Sequence, residues 1–225
     1  MKRVKILVLS SIFAVIVSLF GTGFSFQASA AEPTKQIGFK ENIKGTYFVI
    51  PYDKETVRME KSVSSDNRVG EINVYDKNTN ELLDTYKVED IVPSTKTMAA
   101  MATTGTVIRE ASQTKKAGSA SAKLTTRMSV YTSGSFVQIQ SVLSNNWSTV
   151  SGVHQLVNSN ADTISSTGSF PTTQIQTVGA TTFEVKTTVS GQAGWEAAGF
   201  SISASYGSEI YMRKNVSFNF TYSVY

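Results

Sequence analysis

The stretch that decides the fold is Asn215-Val216-Ser217-Phe218-Asn219-Phe220-Thr221-Tyr222-Ser223-Val224. In an extended strand successive side chains point to opposite faces, so Val216, Phe218, Phe220, Tyr222 and Val224 share one side. Ser217, Asn219, Thr221 and Ser223 share the other. A helix would scatter those aromatics around its whole circumference. The segment therefore predicts a β-strand with one apolar and one wet face.

Moving outward, the same two-residue rhythm runs through Phe200-Ile202-Ala204-Tyr206, through Phe183-Val185-Thr187-Val189 and through Leu124-Thr126-Met128-Val130, each alternating with polar neighbours. β-branched and aromatic residues dominate these runs. Glycine-bearing joints at Gly191-Gln192-Ala193-Gly194 and Tyr206-Gly207-Ser208 separate them. One segment departs from the rhythm: Phe136, Ile139, Val142 and Leu143 sit at helical spacing, which predicts a short helix over residues 136–144. About seven strands at spacings of about 8–12 residues give an all-β chain, an antiparallel β-sandwich or a barrel-like closure, over residues 106–225.

The part before this is built from different residues. Charges of both signs crowd residues 32–96, whereas between Met128 and Phe183 the only formally charged residue is Asp162. Tyr47-Phe48-Val49-Ile50, closed by Pro51, reads as a strand. Glu71-Ile72-Asn73-Val74-Tyr75 and Glu81 to Val88 read as a hairpin around Asp76-Lys77-Asn78-Thr79-Asn80. Residues 31–92 are thus expected to form a small β-rich lobe. The small, polar run at 93–105 reads as a linker, a place where proteolysis would make the lobe a pro-segment.

At the N-terminus Lys2, Arg3 and Lys5 precede an uncharged apolar run from Ile6 to Phe20, and Ala28-Ser29-Ala30 offers small residues for cleavage. That order predicts a secretory signal peptide at residues 1–30 and an extracellular product. The chain has no cysteine, which for an exported domain of this size fits a Gram-positive bacterial secretory route. Three of the charges in the net +4 belong to the leader, leaving about +1. Nucleic acid is therefore not an expected partner.

Reactive chemistry is thin. Cysteine-based sites are excluded, and a Ser-His site would have to use His154, the only histidine, in a strand-like Val153 to Val157 neighbourhood with no nucleophile elbow. The carboxylates of the second region, Glu110, Asp162, Glu184, Glu196 and Glu209, show no spacing that pairs them for acid/base work, and Glu184 with Lys186 reads as a surface ion pair. Asp76-x-Asn78-x-Asn80 resembles the start of a calcium loop, but Glu81 and Lys87 stand where glycine and a bidentate glutamate are needed. No catalytic residue, metal site or cofactor is expected.

What remains is aromatic. Trp147 and Trp195 lie beside loop-like residues, where indole rings stack on sugars or enter a partner's pocket. The sequence thus predicts a secreted, non-enzymatic β-domain that binds an extracellular partner, a cell-wall glycan or surface protein, through loops bearing Trp147 and Trp195. The alternative is a membrane-active, β-pore-forming or bacteriocin-like toxin. Its motive is the nearly uncharged Ser/Thr-rich stretch and the long alternation, since a strand crosses a bilayer with about 9–11 residues.

Overall fold

The computed structural model describes residues 38–91 and 104–225, twelve strands and one short helix. The predicted signal peptide, most of the predicted linker and its cleavage point lie outside the described residues.

Two antiparallel six-stranded sheets face each other. The first contains β1 (Phe39–Ile43), β2 (Thr46–Ile50), β9 (Gln155–Ser165), β10 (Gln174–Thr188), β11 (Ser201–Tyr206) and β12 (Glu209–Ser223). Its order is β1-β2-β12-β10-β9, with β11 also on β12. The second runs in chain order through β3 (Val57–Val63), β4 (Val69–Asp76), β5 (Leu82–Ile91), β6 (Thr104–Ala117), β7 (Ala120–Ser133) and β8 (Phe136–Ser151). This is a β-sandwich.

The boundary drawn from composition is not a boundary between sheets. β5 pairs with β6 from Asp84↔Lys115 to Ile91↔Ile108, and β2 pairs with the end of β12. A lobe of about 60 residues closes only a modest core of its own, and here its inner face is covered by the later strands. Residues 37–225 form one compact unit.

The opening stretch follows its alternation over its middle: Phe218, Phe220, Tyr222 and Val224 are buried and Ser217 and Asn219 exposed, whereas Val216 is half-buried and Ser223, expected on the wet face, is buried with its hydroxyl on the Thr173 carbonyl. Across the sandwich Phe48 packs on Tyr86 at 5.4 Å and on Tyr222 at 5.3 Å, joining the two inner faces. Leu124, Thr126, Met128 and Val130 of β7 are all fully buried.

Three local expectations are corrected. Residues 136–144 are not helical but open the longest strand, β8. Its helical-looking spacing arises because register shifts against β7 occur near Ser129/Val130 and Arg127/Met128, which displace Leu143 from the ladder. The glycine joint at 191–194 lies inside a helix, α1 (Val189–Ala197), which starts two residues after Thr187 and turns Val189 outward to 70% exposure. β11 is an edge strand with Ile202 and Tyr206 exposed, because sheet pairing on β12 rather than burial holds it.

Candidate functional site

Neither tryptophan stands on a loop. Trp147 belongs to β8 and meets Phe218 edge-to-face at 4.8 Å, its Nε1–H buried without an acceptor. Gly179 makes room for it: a Cβ there would lie 2.9 Å from the Trp147 ring. Trp195 belongs to α1 and sits edge-to-face on Phe200 at 4.9 Å. Both are half-buried against the margin of the core, on different elements and with no contact between them.

The titratable residues singled out from sequence are dispersed. Glu110 lies on β6, Asp162 on β9, Glu184 on β10, Glu196 on α1 and Glu209 on β12. Glu184 pairs with Arg213 and Lys186 with Glu209, both at 2.5 Å across strands, instead of with each other. His154 lies in the turn before β9, its ring 5.0 Å from Phe183, and burial lowers its pKa. The Asp76 carboxylate accepts the N–H groups of Asn78 and Thr79, so its loop serves the hairpin turn.

Two buried ionic clusters went unread in the sequence. Asp90 accepts from Lys44 Nζ at 2.6 Å and from Arg109 Nε at 2.5 Å, and Arg109 also donates to the Tyr222 hydroxyl at 3.1 Å. Burial by itself would raise the Asp90 pKa, but the two cations outweigh it and hold it low. Asp84 Oδ2 accepts from Tyr52, Tyr86 and Gln113, while its Oδ1 is buried without a partner, and desolvation pushes its pKa up. The signal was present: Asp84, Tyr86, Val88 and Asp90 share one face of β5, an apolar stripe interrupted by two acids.

The feature with the most functional content is the pair β8 and β9. They are consecutive in the chain, joined by Gly152-Val153-His154, yet belong to opposite sheets, and each is the terminal strand of its sheet. Apart from one bridge, Ile139↔Thr172, β8 has no strand on its outer edge among the described residues. From Phe136 to Ser165 only Ile139 is fully buried, while Phe136, Leu143, Val150, Val153 and Ile164 are exposed. A polar cluster ties the two strands to the body: Asn145 of β8 accepts from Thr126 of β7 and Thr163 of β9, each at 2.8 Å, and Thr177 of β10 lies 2.7 Å from Thr126.

Among the described residues no three His, Asp or Glu side chains converge as metal ligands, and no helix is long and apolar enough to cross a membrane. No protein-family model, curated protein or solved structure matches this chain.

Proposed function

We propose that this is an exported, non-enzymatic β-protein that acts on membranes by releasing β8 and β9 from the sandwich edge and inserting them as a hairpin. The observation that carries the reading is their sparse burial: thirty consecutive residues with one formal charge, Asp162, one fully buried side chain and five exposed large apolar ones. Removing such a segment takes Ile139 and the Trp147–Phe218 contact out of the sandwich, and its Thr/Asn tether transfers to water or a wet lumen at about 1 kcal/mol per hydrogen bond. With 16 and 11 residues, both strands meet the length of about 9–11 that a spanning strand needs. The released backbone groups then pair within the hairpin and with neighbouring copies, because a bilayer tolerates only a closed sheet.

The absence of cysteine allows a clean test. Cysteines placed at the facing positions Lys123 and Ser148 would lock β8 to β7. Dye release from liposomes is expected from the wild type, should vanish in the oxidised Lys123→Cys/Ser148→Cys protein and should return on reduction. Intact liposomes with the wild type, or leakage indifferent to the lock, would remove this function.

A second reading, contact with an extracellular or cell-wall partner through aromatic side chains, is supported by Trp195. Its helix contains no fully buried residue, so one indole edge is held at the surface. Trp195→Ala should abolish pull-down by cell-wall glycan under this reading, and unchanged binding would exclude it.

A further inference from the structure

Among the described residues no strand pairs with part of the outer edge of β12. The ladder with β11 ends at Ser201↔Arg213 and that with β2 begins at Val49↔Thr221, so among the described residues β10 is the one strand paired with residues 214–220. The sequence explains the opening. Pro51 follows β2 and would stand opposite Asn219, where it has no N–H to give. On the other flank the chain leaves α1 through Gly199 and reaches β12 only at Ser201.

Backbone groups of β12 face this opening. The Asn219 N–H points away from β10 and is taken by the Gln113 side chain at 3.1 Å. Because the β10–β12 register is unbroken, Asn215 and Ser217 turn their N–H and C=O groups the same way. Opposite Ser217, Ala180 sends its own N–H outward to Asn160, as that parity requires.

Behind the opening lies a cavity of about 360 Å³ bordered by Tyr52, Asp84, Lys115, Lys214, Asn215 and Ser217. Asp84 and Lys115 are cross-strand partners of the second sheet that face it where no strand of the first covers them. Asp84 is 1% exposed and keeps one oxygen without a partner. Lys214 spends one N–H on the Ala198 carbonyl at 2.6 Å. With Lys116, three ammonium groups border the cavity against Glu81 and Asp84.

The geometry points to this gap as a docking site for an extended acidic peptide segment of another protein, which adds the missing strand beside β12 and turns carboxylates inward to Lys115 and Lys214. Backbone in strand register at Asn215 and Ser217, next to the Asn219 N–H that Gln113 takes, selects another backbone, and the lysine excess selects its charge. A donor from the incoming strand also completes the open oxygen of Asp84. The site is separate from β8 and β9, so it stands or falls independently of membrane action.

Panning a random heptapeptide library on the folded protein tests it. Enriched sequences should carry Asp or Glu at alternate positions. A synthetic representative should lose at least tenfold in affinity for the Lys115→Gln/Lys214→Gln variant, and at least tenfold when its central amide is N-methylated. Thermal unfolding of the variant should match the wild type, and its liposome leakage should be unchanged. Absence of acidic enrichment, tolerance of N-methylation, or full affinity in the variant would each overturn the proposal. So would binding of phosphatidylserine vesicles at these lysines without peptide enrichment, which would assign the cavity to lipid headgroups.

Discussion

β12 and β8 are strands of nearly equal length in one small sandwich, and they are held in place by different physics. Around β12, Phe220 and Tyr222 pack on Phe48, which in turn meets Tyr86, and Arg109 reaches Tyr222 from the opposite sheet. Along β8 a single side chain, Ile139, is fully buried, Trp147 adds an aromatic contact with Phe218, and hydroxyl and amide bonds supply much of the rest. Removing a core aromatic loses dispersion and leaves a cavity, whereas removing one hydroxyl bond of a cluster loses about 1 kcal/mol. One sheet pair therefore combines an aromatic body with a sparsely buried edge, which the proposed function would release.

The largest effect should come from the body. Phe220→Ala is expected to destabilise by about 3–5 kcal/mol in denaturant unfolding. A loss near that for Leu143→Ala would erase the contrast.

Asp90 should follow closely. Replacing it with Ala strands two buried cations, and breaking such a cluster costs about 3–5 kcal/mol. Its pH dependence has a definite sign. Asp90 has a lowered folded pKa, so its contribution is complete above the unfolded value of about 3.9 and is lost as pH falls through the folded one. Asp84, raised by burial, behaves oppositely: it weakens the fold as pH rises from that unfolded value through its own raised pKa. Unfolding free energies across pH should show Asp90→Asn reducing the loss below the unfolded carboxylate value and Asp84→Asn reducing the loss as pH rises above it.

Smaller changes sharpen the edge. Thr177→Val removes a hub of the polar cluster and should cost about 1 kcal/mol, with dye release becoming faster. Leu143→Ser, at a position 50% exposed, should stay within about 0.5 kcal/mol in stability while slowing dye release, since it takes an apolar side chain from the inserting strand.

Much of this body was legible in the sequence. Alternation located β12, β7, β10 and the β4–β5 hairpin because each has one dry face, and the dry face is what period-two patterns record. The reading failed where strands have no dry face. β8, dry at little more than Ile139 and Trp147 and shifted in register, imitated a helix, and β11 presented an apolar rhythm that pairing leaves exposed. Tryptophan placement failed for a related reason. Neighbouring Asn145, Asn146 and Gly194 look like loop residues, yet Asn145 is a bonded member of the polar cluster and Gly194 sits mid-helix. Gaps in a sheet arise from pairing between distant segments, so local periodicity could not locate the opening beside β12. Pro51 was its only local sign.

Native-state hydrogen exchange would test the two-part account most directly. Amides of β8 and β9 should exchange through a partial opening whose free energy lies clearly below that of β10 and β12, with the gap widening under mild denaturant. If all four strands exchanged at the single free energy of global unfolding, the edge would not be separable, and the account would be wrong.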